Sequence, residues 1–166
     1  VLLYDLKPGM AQRALKTSLK IKPSPWYSPH DTKMVTPLDY GSGLDQLSEV
    51  DWILEAISEK AEWKRDLYEL IKSRIKPSAY LSSNTSGIML DELAINLSES
   101  VRQHFCITHC FNPPRYLPLA EVTAGDTTST SHFNPLLKFL SEVLGKRLVM
   151  VGSTPNFIAN RVGLFS

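Results

Sequence analysis

Both cysteines of the chain and two of its four histidines fall within His104–Cys110, "HFCITHC". Such a set could hold a metal through imidazole and thiolate, or one histidine could move protons at the end of a strand. A third reading is a core strand that carries a few polar residues. On a strand, side chains alternate between faces, so His104, Cys106 and Cys110 share one face and His109 takes the other. Structural zinc sites draw ligands from tight turns and need a second ligand pair. The remaining histidines, His30 and His132, lie in unrelated contexts. No metal site is therefore expected, and Cys106 and Cys110 read as small buried hydrophobes. On an extended strand at about 3.3 Å per residue their Cα atoms stand roughly 13 Å apart, beyond the ~7 Å reach of a disulfide. Reduced thiols point to an intracellular protein.

His109 stands apart. It ends an apolar run, and Pro113 and Pro114 stop regular structure soon after. Twelve residues on, Glu121 sits among Leu119, Ala120 and Val122. A carboxylate buried there is costly unless paired, and an imidazole can pair with it. Such a pair fixes the imidazole tautomer and raises its basicity, which a general base near neutral pH requires. The pattern equally allows a structural His–Glu hydrogen bond or a solvated glutamate. Ser82–Ser86, "SSNTS", is a dense hydrogen-bonding turn after an apolar strand. It reads either as substrate-facing groups or as a turn that caps the next helix. Asp5 ends the first strand, where dinucleotide-binding folds place the acid that accepts from adenosine ribose hydroxyls. Aspartate after a strand is also common in ordinary turns.

The elements that must position these residues alternate. Apolar runs predict buried strands at "VLLYD" (1–5), "DWILEA" (51–56), "AYLSS" (79–83), "HFCITHC" (104–110), "LAEVTAG" (119–125) and "RLVMVG" (147–152), with a short edge strand at "KMVTP" (33–37). Helices are expected over 10–21 after Pro8 and Gly9, over 59–75, over 91–98 and over 133–146, and a last one opens in "FIANRVGLFS". The 59–75 helix shows an apolar stripe of Trp63, Leu67, Leu70, Ile71 and Ile75 at spacings of three and four. Acids in its first turns and bases in its last suit the helix dipole. "KPSPWYSPHD" (22–31) reads as an irregular loop. Continuous apolar strands between helices predict an α/β fold with a mostly parallel sheet covered on both faces. Ligands of such sheets bind off the carboxyl ends of the strands. That selects Asp5, the Glu55–Glu59 turn, the Ser83–Ser86 turn and His109–Asn112.

The totals fit one domain: 166 residues, 43% apolar, formal net charge +1. Near-balanced charge without a basic run predicts no nucleic-acid partner. No apolar run approaches the roughly 20 residues that span a bilayer, so a soluble protein of the cytoplasm or an organellar matrix is expected. The start lacks the basic flank of a signal peptide and an initiator Met, so the true N-terminus is expected upstream.

The motifs "LEAISEKAEWK", "SSNTSG", "HCFNP", "LAEV" and "STPNFIANR" stand in one order. Together they resemble the NAD-binding domain of the 3-hydroxyacyl-CoA dehydrogenase family, with similarity strongest from Thr36 to Arg161. The resemblance implies a Rossmann-like fold, NAD as cofactor, and oxidation of (S)-3-hydroxyacyl-CoA to 3-oxoacyl-CoA in fatty-acid β-oxidation. His109 matches the family's catalytic base and Glu121 the acid paired with it. Ser86, Asn112 and Asn160 match substrate-side polar residues. Asp5 matches the ribose-binding acid, and Glu59 and Lys64 match residues on the cofactor side. The resemblance also implies residues 1–154 as a partial NAD-binding domain and 155–166 as the lead into a helical C-terminal domain. A homodimer is implied for the full-length protein. The family opens on a strand and a G-x-G-x-x-G loop, absent from these 166 residues; "GSG" at 41–43 follows another segment, and the sequence begins as if on the second strand. Ser153, Asn156 and Cys110 stand where the family has Asp, Gly and Phe. A relative acting on sugar acids and a non-catalytic binding module are the alternatives.

Overall fold

The computed structural model describes residues 1–126, 128 and 130–164. Among the described residues, seven strands fall into two sheets. β1 (Leu2–Asp5) and β2 (Thr36–Asp39) form a parallel pair. β3 (Trp52–Glu55), β4 (Tyr80–Ser83), β5 (Phe105–Cys110), β6 (Leu119–Ala124) and β7 (Arg147–Met150) lie side by side in chain order. β3, β4 and β5 are parallel, β5 and β6 are antiparallel, and β7 follows β6. The sheet is thus mostly parallel, as expected, but its last two strands run against the first three.

The helices are α1 (Met10–Ser18), α2 (Ala61–Ile71), α3 (Leu90–Ala94), α4 (Glu99–Arg102), α5 (Thr130–Lys138) and α6 (Ala159–Leu164). α5 continues as a π-helical turn over Phe139–Val143. The final helix was expected to run to Ser166; its last two residues lie outside the described ones. Short 3₁₀ turns take up parts of what reads as loop or strand. Pro29–Met34 is one, opened by a reciprocal cap in which Ser28 and Asp31 each satisfy the other's backbone amide. It shifts the edge strand three residues later than its apolar pattern suggests. α4 was not expected; its four residues carry only one apolar side chain, too few to show a period.

Strand parity decides the packing. Phe105 and Ile107 face α2 and α3, in a cluster with Leu81, Tyr68, Ile71, Leu90, Leu93 and Phe157. Cys106 and Val122 face α5, against Phe133, Leu136 and Leu140. Complete burial of a Leu, Ile or Phe side chain contributes about 1.5–3 kcal/mol, so the fully enclosed Leu81, Phe105 and Ile107 anchor β4 and β5. The thiol of Cys106 sits in this apolar setting, and burial pushes its pKa up to about 12. It packs as a hydrophobe.

Two expectations need correction. β1 and β3 read as buried strands but are mostly half-buried, because each is paired on one side only. The stripe assigned to α2 is also displaced: Trp63 and Leu70 are 50% and 44% exposed, while Lys64, Tyr68 and Ile71 face the core. Spacings of four and three still hold on the buried face. Counting only apolar residues missed a lysine whose charge is met inside.

Candidate active site

The reversal between β5 and β6 sets His109 directly opposite Glu121 in the strand register. Residues facing each other across an antiparallel ladder project on the same side. His109 Nδ1 lies 2.9 Å from Glu121 Oε2, and both side chains are buried. A carboxylate accepts, so Nδ1 carries the proton and Nε2 is left as the basic nitrogen. Among the described residues Nε2 has no hydrogen-bond partner. The imidazole is braced by Phe111, 4.6 Å between ring centroids, and by Phe157 at 6.2 Å.

Glu121 is held from a second side. Its Oε1 accepts from the backbone amides of Ile158 and Ala159, at 3.0 and 2.9 Å. Burial pushes the carboxyl pKa up, but the bonds from His109 and these two amides outweigh it and hold it below the ordinary carboxylate value. The acid is kept ionised in a nearly closed site.

Beside this pair lies the turn after β4. Glu59, expected as the first residue of the 59–75 helix, lies two residues before α2 and instead reaches across to that turn. Its Oε1 accepts from Thr85 Oγ1 at 2.5 Å, from the Ser86 amide at 2.9 Å and from Ser86 Oγ at 3.3 Å. Burial acts to raise its pKa, but these bonds and the nearby Lys64 bring it below the usual value. The Ser86 carbonyl accepts from Asn160 Nδ2 at 2.8 Å. Asn84 Oδ1 accepts from the Cys110 amide, which fastens the turn to the residue after His109.

Behind the turn is a buried ionic cluster. Glu55 Oε1 accepts from Lys64 Nζ and the Ile57 amide, both at 2.7 Å; Oε2 accepts from Tyr68 Oη at 2.9 Å and Ser83 Oγ at 2.6 Å. Lys64 Nζ also donates to the Ile57 carbonyl at 3.3 Å and lies 3.5 Å from Glu59 Oε2. It is 1% exposed. Burial, with Glu55 alongside, pushes the Tyr68 phenol well above its ordinary pKa, so it stays a donor.

The structure therefore brings His109, Glu121, Ser86, Asn160, Glu59 and Lys64 into one connected set along the carboxyl ends of β3, β4 and β5. Asn112 lies on the exposed loop three residues past His109, without a side-chain hydrogen bond among the described residues. Asp5 ends β1 in the other sheet. Its Oδ1 accepts from the Leu6 amide, while Oδ2 has no hydrogen bond among the described residues. Burial, then the charges of Asp5 and Glu55, raise the Tyr40 pKa. Arg115 escaped the sequence reading, and Glu55 and Asn84, selected only as members of strand-end turns, were given no role of their own. Glu55 ends a strand as many turn acids do, and its partner Lys64 lies on a helix face that apolar counting does not single out. Arg115 anchors the proline-rich loop to the loop that follows β5. Its Nη1 donates to the carbonyls of Ser24 and Trp26, and its guanidinium lies 3.9 Å from the Tyr27 ring.

The departures in the last motif have local solutions. Ser153 Oγ accepts from the Leu90 amide at the start of α3. Asn156 has φ +64°, a region asparagine tolerates better than most side chains.

A mostly parallel, Rossmann-like α/β sheet with polar side chains gathered at its strand ends has the architecture of a dinucleotide-binding domain. The model of the 3-hydroxyacyl-CoA dehydrogenase NAD-binding domain matches residues 1–154. The chain belongs to that family, whose cofactor is NAD. It is 37% identical over 161 residues to "Probable 3-hydroxyacyl-CoA dehydrogenase" of Bacillus subtilis, covering 97% of this chain and 20% of that protein. A protein of the same name from Deinococcus radiodurans is 35% identical over 172 residues, covering 99% of this chain and 50% of the relative. The chain thus spans half or less of the length of these relatives. Among solved structures, the 3-hydroxybutyryl-CoA dehydrogenase of Escherichia coli superposes with a TM-score of 0.82 at 28% identity, over 98% of this chain and 35% of that one. No helix among the described residues is long and apolar enough to cross a membrane.

Proposed function

We propose that the protein carrying this chain oxidises (S)-3-hydroxyacyl-CoA to 3-oxoacyl-CoA in fatty-acid β-oxidation, with His109 as general base and Glu121 as its partner. The observation that supports this most is the buried pair with Nε2 left unpartnered. The 3-hydroxyl proton passes to Nε2 as the C3–O bond becomes a carbonyl. NAD, when bound, takes the hydride from C3. Glu121 holds the imidazole in the tautomer that exposes Nε2 and stabilises the imidazolium that forms. Ser86, Asn112 and Asn160 supply hydrogen bonds to substrate oxygens.

The residues present suit NAD at two places. Asp5 has a carboxylate oxygen available at a strand end for ribose hydroxyls. Glu59 and Lys64 line the strand ends beside Ser86; with Lys64 Nζ engaged by Glu55, its contribution to the cofactor runs through the placement of Glu59. Residues 1–154 form the dinucleotide-binding part on this reading, and 155–166 lead into a helical domain that completes the cleft and a homodimer.

In the whole protein, His109→Ala should lower the turnover of acetoacetyl-CoA with NADH by at least about a hundredfold. Near-normal turnover would remove His109 from the reaction.

A further inference from the structure

We infer that the backbone amides of Ile158 and Ala159 are a working part of the His109–Glu121 pair, and that Phe157 and Asn160 are the positioning residues that hold them there. This rests on the reading of the pair as the reaction's base and its partner. Glu121 faces two ways: Oε2 meets His109 from β5, and Oε1 meets the two amides from the segment after β7. Those are the groups that act on its charge.

A single ring nitrogen could not easily keep a carboxylate at 2% exposure both ionised and fixed in orientation. With the amides removed, the carboxyl could take up the proton of Nδ1 or turn away from the ring. With them bonded, Oε1 is occupied and Oε2 is aimed at Nδ1.

The amides are themselves pinned. Residues 151–158 fold back across the sheet face, marked by Val151 in the core cluster and by the Leu90 amide bonded to Ser153 Oγ. The Asn156 amide then donates to the Gly87 carbonyl at 3.3 Å. Phe157 is buried in that cluster beside the His109 ring, and Asn160 Nδ2 holds the Ser86 carbonyl. The Phe157 ring and the Asn160 amide thus clamp Ile158 and Ala159 from both sides.

Position 159 offers a test because it is the first residue of α6, where proline is compatible with a helix; its ring replaces the N–H aimed at Glu121 Oε1 and displaces the carboxylate from that donor. Ala159→Pro deletes one donor to Glu121, and Ala159→Gly keeps it. In Ala159→Pro the Glu121 carboxyl midpoint, followed by ¹³C NMR of its side chain in this chain, should move up by about one pH unit. In Ala159→Gly it should stay in place. An unmoved midpoint in Ala159→Pro would overturn the proposal. Should Ala159→Pro fail to fold, lactic acid installed at position 159 deletes the same N–H without the ring, and the same midpoint decides. Turnover of acetoacetyl-CoA by the whole protein is the separate arm: about a tenfold lower kcat with unchanged KM for NADH is expected for Ala159→Pro alone. A moved midpoint with unchanged kcat would uphold the clamp on Glu121 and sink the role of the pair as the reaction's base.

Discussion

Replacing Lys64 with methionine should destabilise the chain severely, and a second mutation should partly repair the damage. Lys64 lies on the inward face of α2 and meets Glu55, whose carboxylate is enclosed at the end of β3. Breaking a buried ion pair by removing one partner costs about 3–5 kcal/mol, because a charge is left without its counter-ion. Glu55 would keep three donors, the Ile57 amide, Tyr68 and Ser83, which favours the lower end of that range. Against a domain stability of about 5–15 kcal/mol, a loss of ~3 kcal/mol is a large share. With a urea slope near 2 kcal/mol per molar, the unfolding midpoint should fall by about 1.5 M. Trp52, which donates to Ser82 Oγ, and Trp63 on α2 report the transition by fluorescence. Adding Glu55→Gln removes the orphaned charge while keeping an oxygen for the Ile57 amide and turning an NH2 toward the Tyr68 and Ser83 hydroxyls, which can accept. The double variant should regain about 1–2 kcal/mol over Lys64→Met alone. If the two losses simply added, or if Lys64→Met unfolded within ~0.3 M of the wild type, the cluster would not be the closed ion pair described here.

Two further outcomes follow from the site. The Glu121 pKa is depressed in the fold, so its stabilisation is present above the ordinary carboxylate value and lost as pH falls through the depressed one. The stability gap between wild type and Glu121→Gln should therefore be widest near about pH 6 and narrow towards about pH 3; a gap that stays constant would contradict the bonding assigned to Glu121. A Cβ on Gly87 would stand 2.7 Å from Asn156 Oδ1. Gly87→Ala should cost at most about 1 kcal/mol, because the atom in the way is the end of a flexible side chain, and Asn156→Gly, which clears the space and suits φ +64°, should remove that cost in thermal melts.

What the sequence disclosed was mainly what apolar runs and anomalies can disclose. The strands were visible because Leu81, Phe105, Ile107 and Val122 sit in short apolar runs with turn residues between them. Glu121 was visible as a lone acid among apolar neighbours, and His109 as the imidazole at the end of such a run. The reversal at β6 was hidden, since a strand buried on both faces carries the same pattern in either direction. So was the inward face of α2. A buried lysine contributes polar residues to the very stripe that apolar counting seeks, and its carboxylate partner ends a different element. The amide contacts on Glu121 were invisible in a stronger sense, because backbone donors leave no trace in residue identity. The five-residue frame "TPNFI" could indicate a turn, but only the fold shows where that turn delivers its N–H groups.

The reversal explains why the orienting acid lies inside a strand rather than on a loop. In a wholly parallel sheet, the residues beside His109 would be those ending a neighbouring strand, next to the mobile connection that follows. Because β6 runs the other way, Glu121 is the third residue of an inner strand, paired with His109 on one side and with Val149 on the other. Glu121 gains the rigidity of two hydrogen-bonded ladders, while His109 stands near the end of β5, one residue before the strand stops. Interior placement would be prohibitive for a carboxylate with one partner. Three donors on its two oxygens make it tolerable, and two of those donors belong to a segment roughly 40 residues further along the chain. The placement of the acid and the fold-back of residues 151–160 are therefore joined at Glu121, whose Oε1 takes both amides while Oε2 takes the His109 proton.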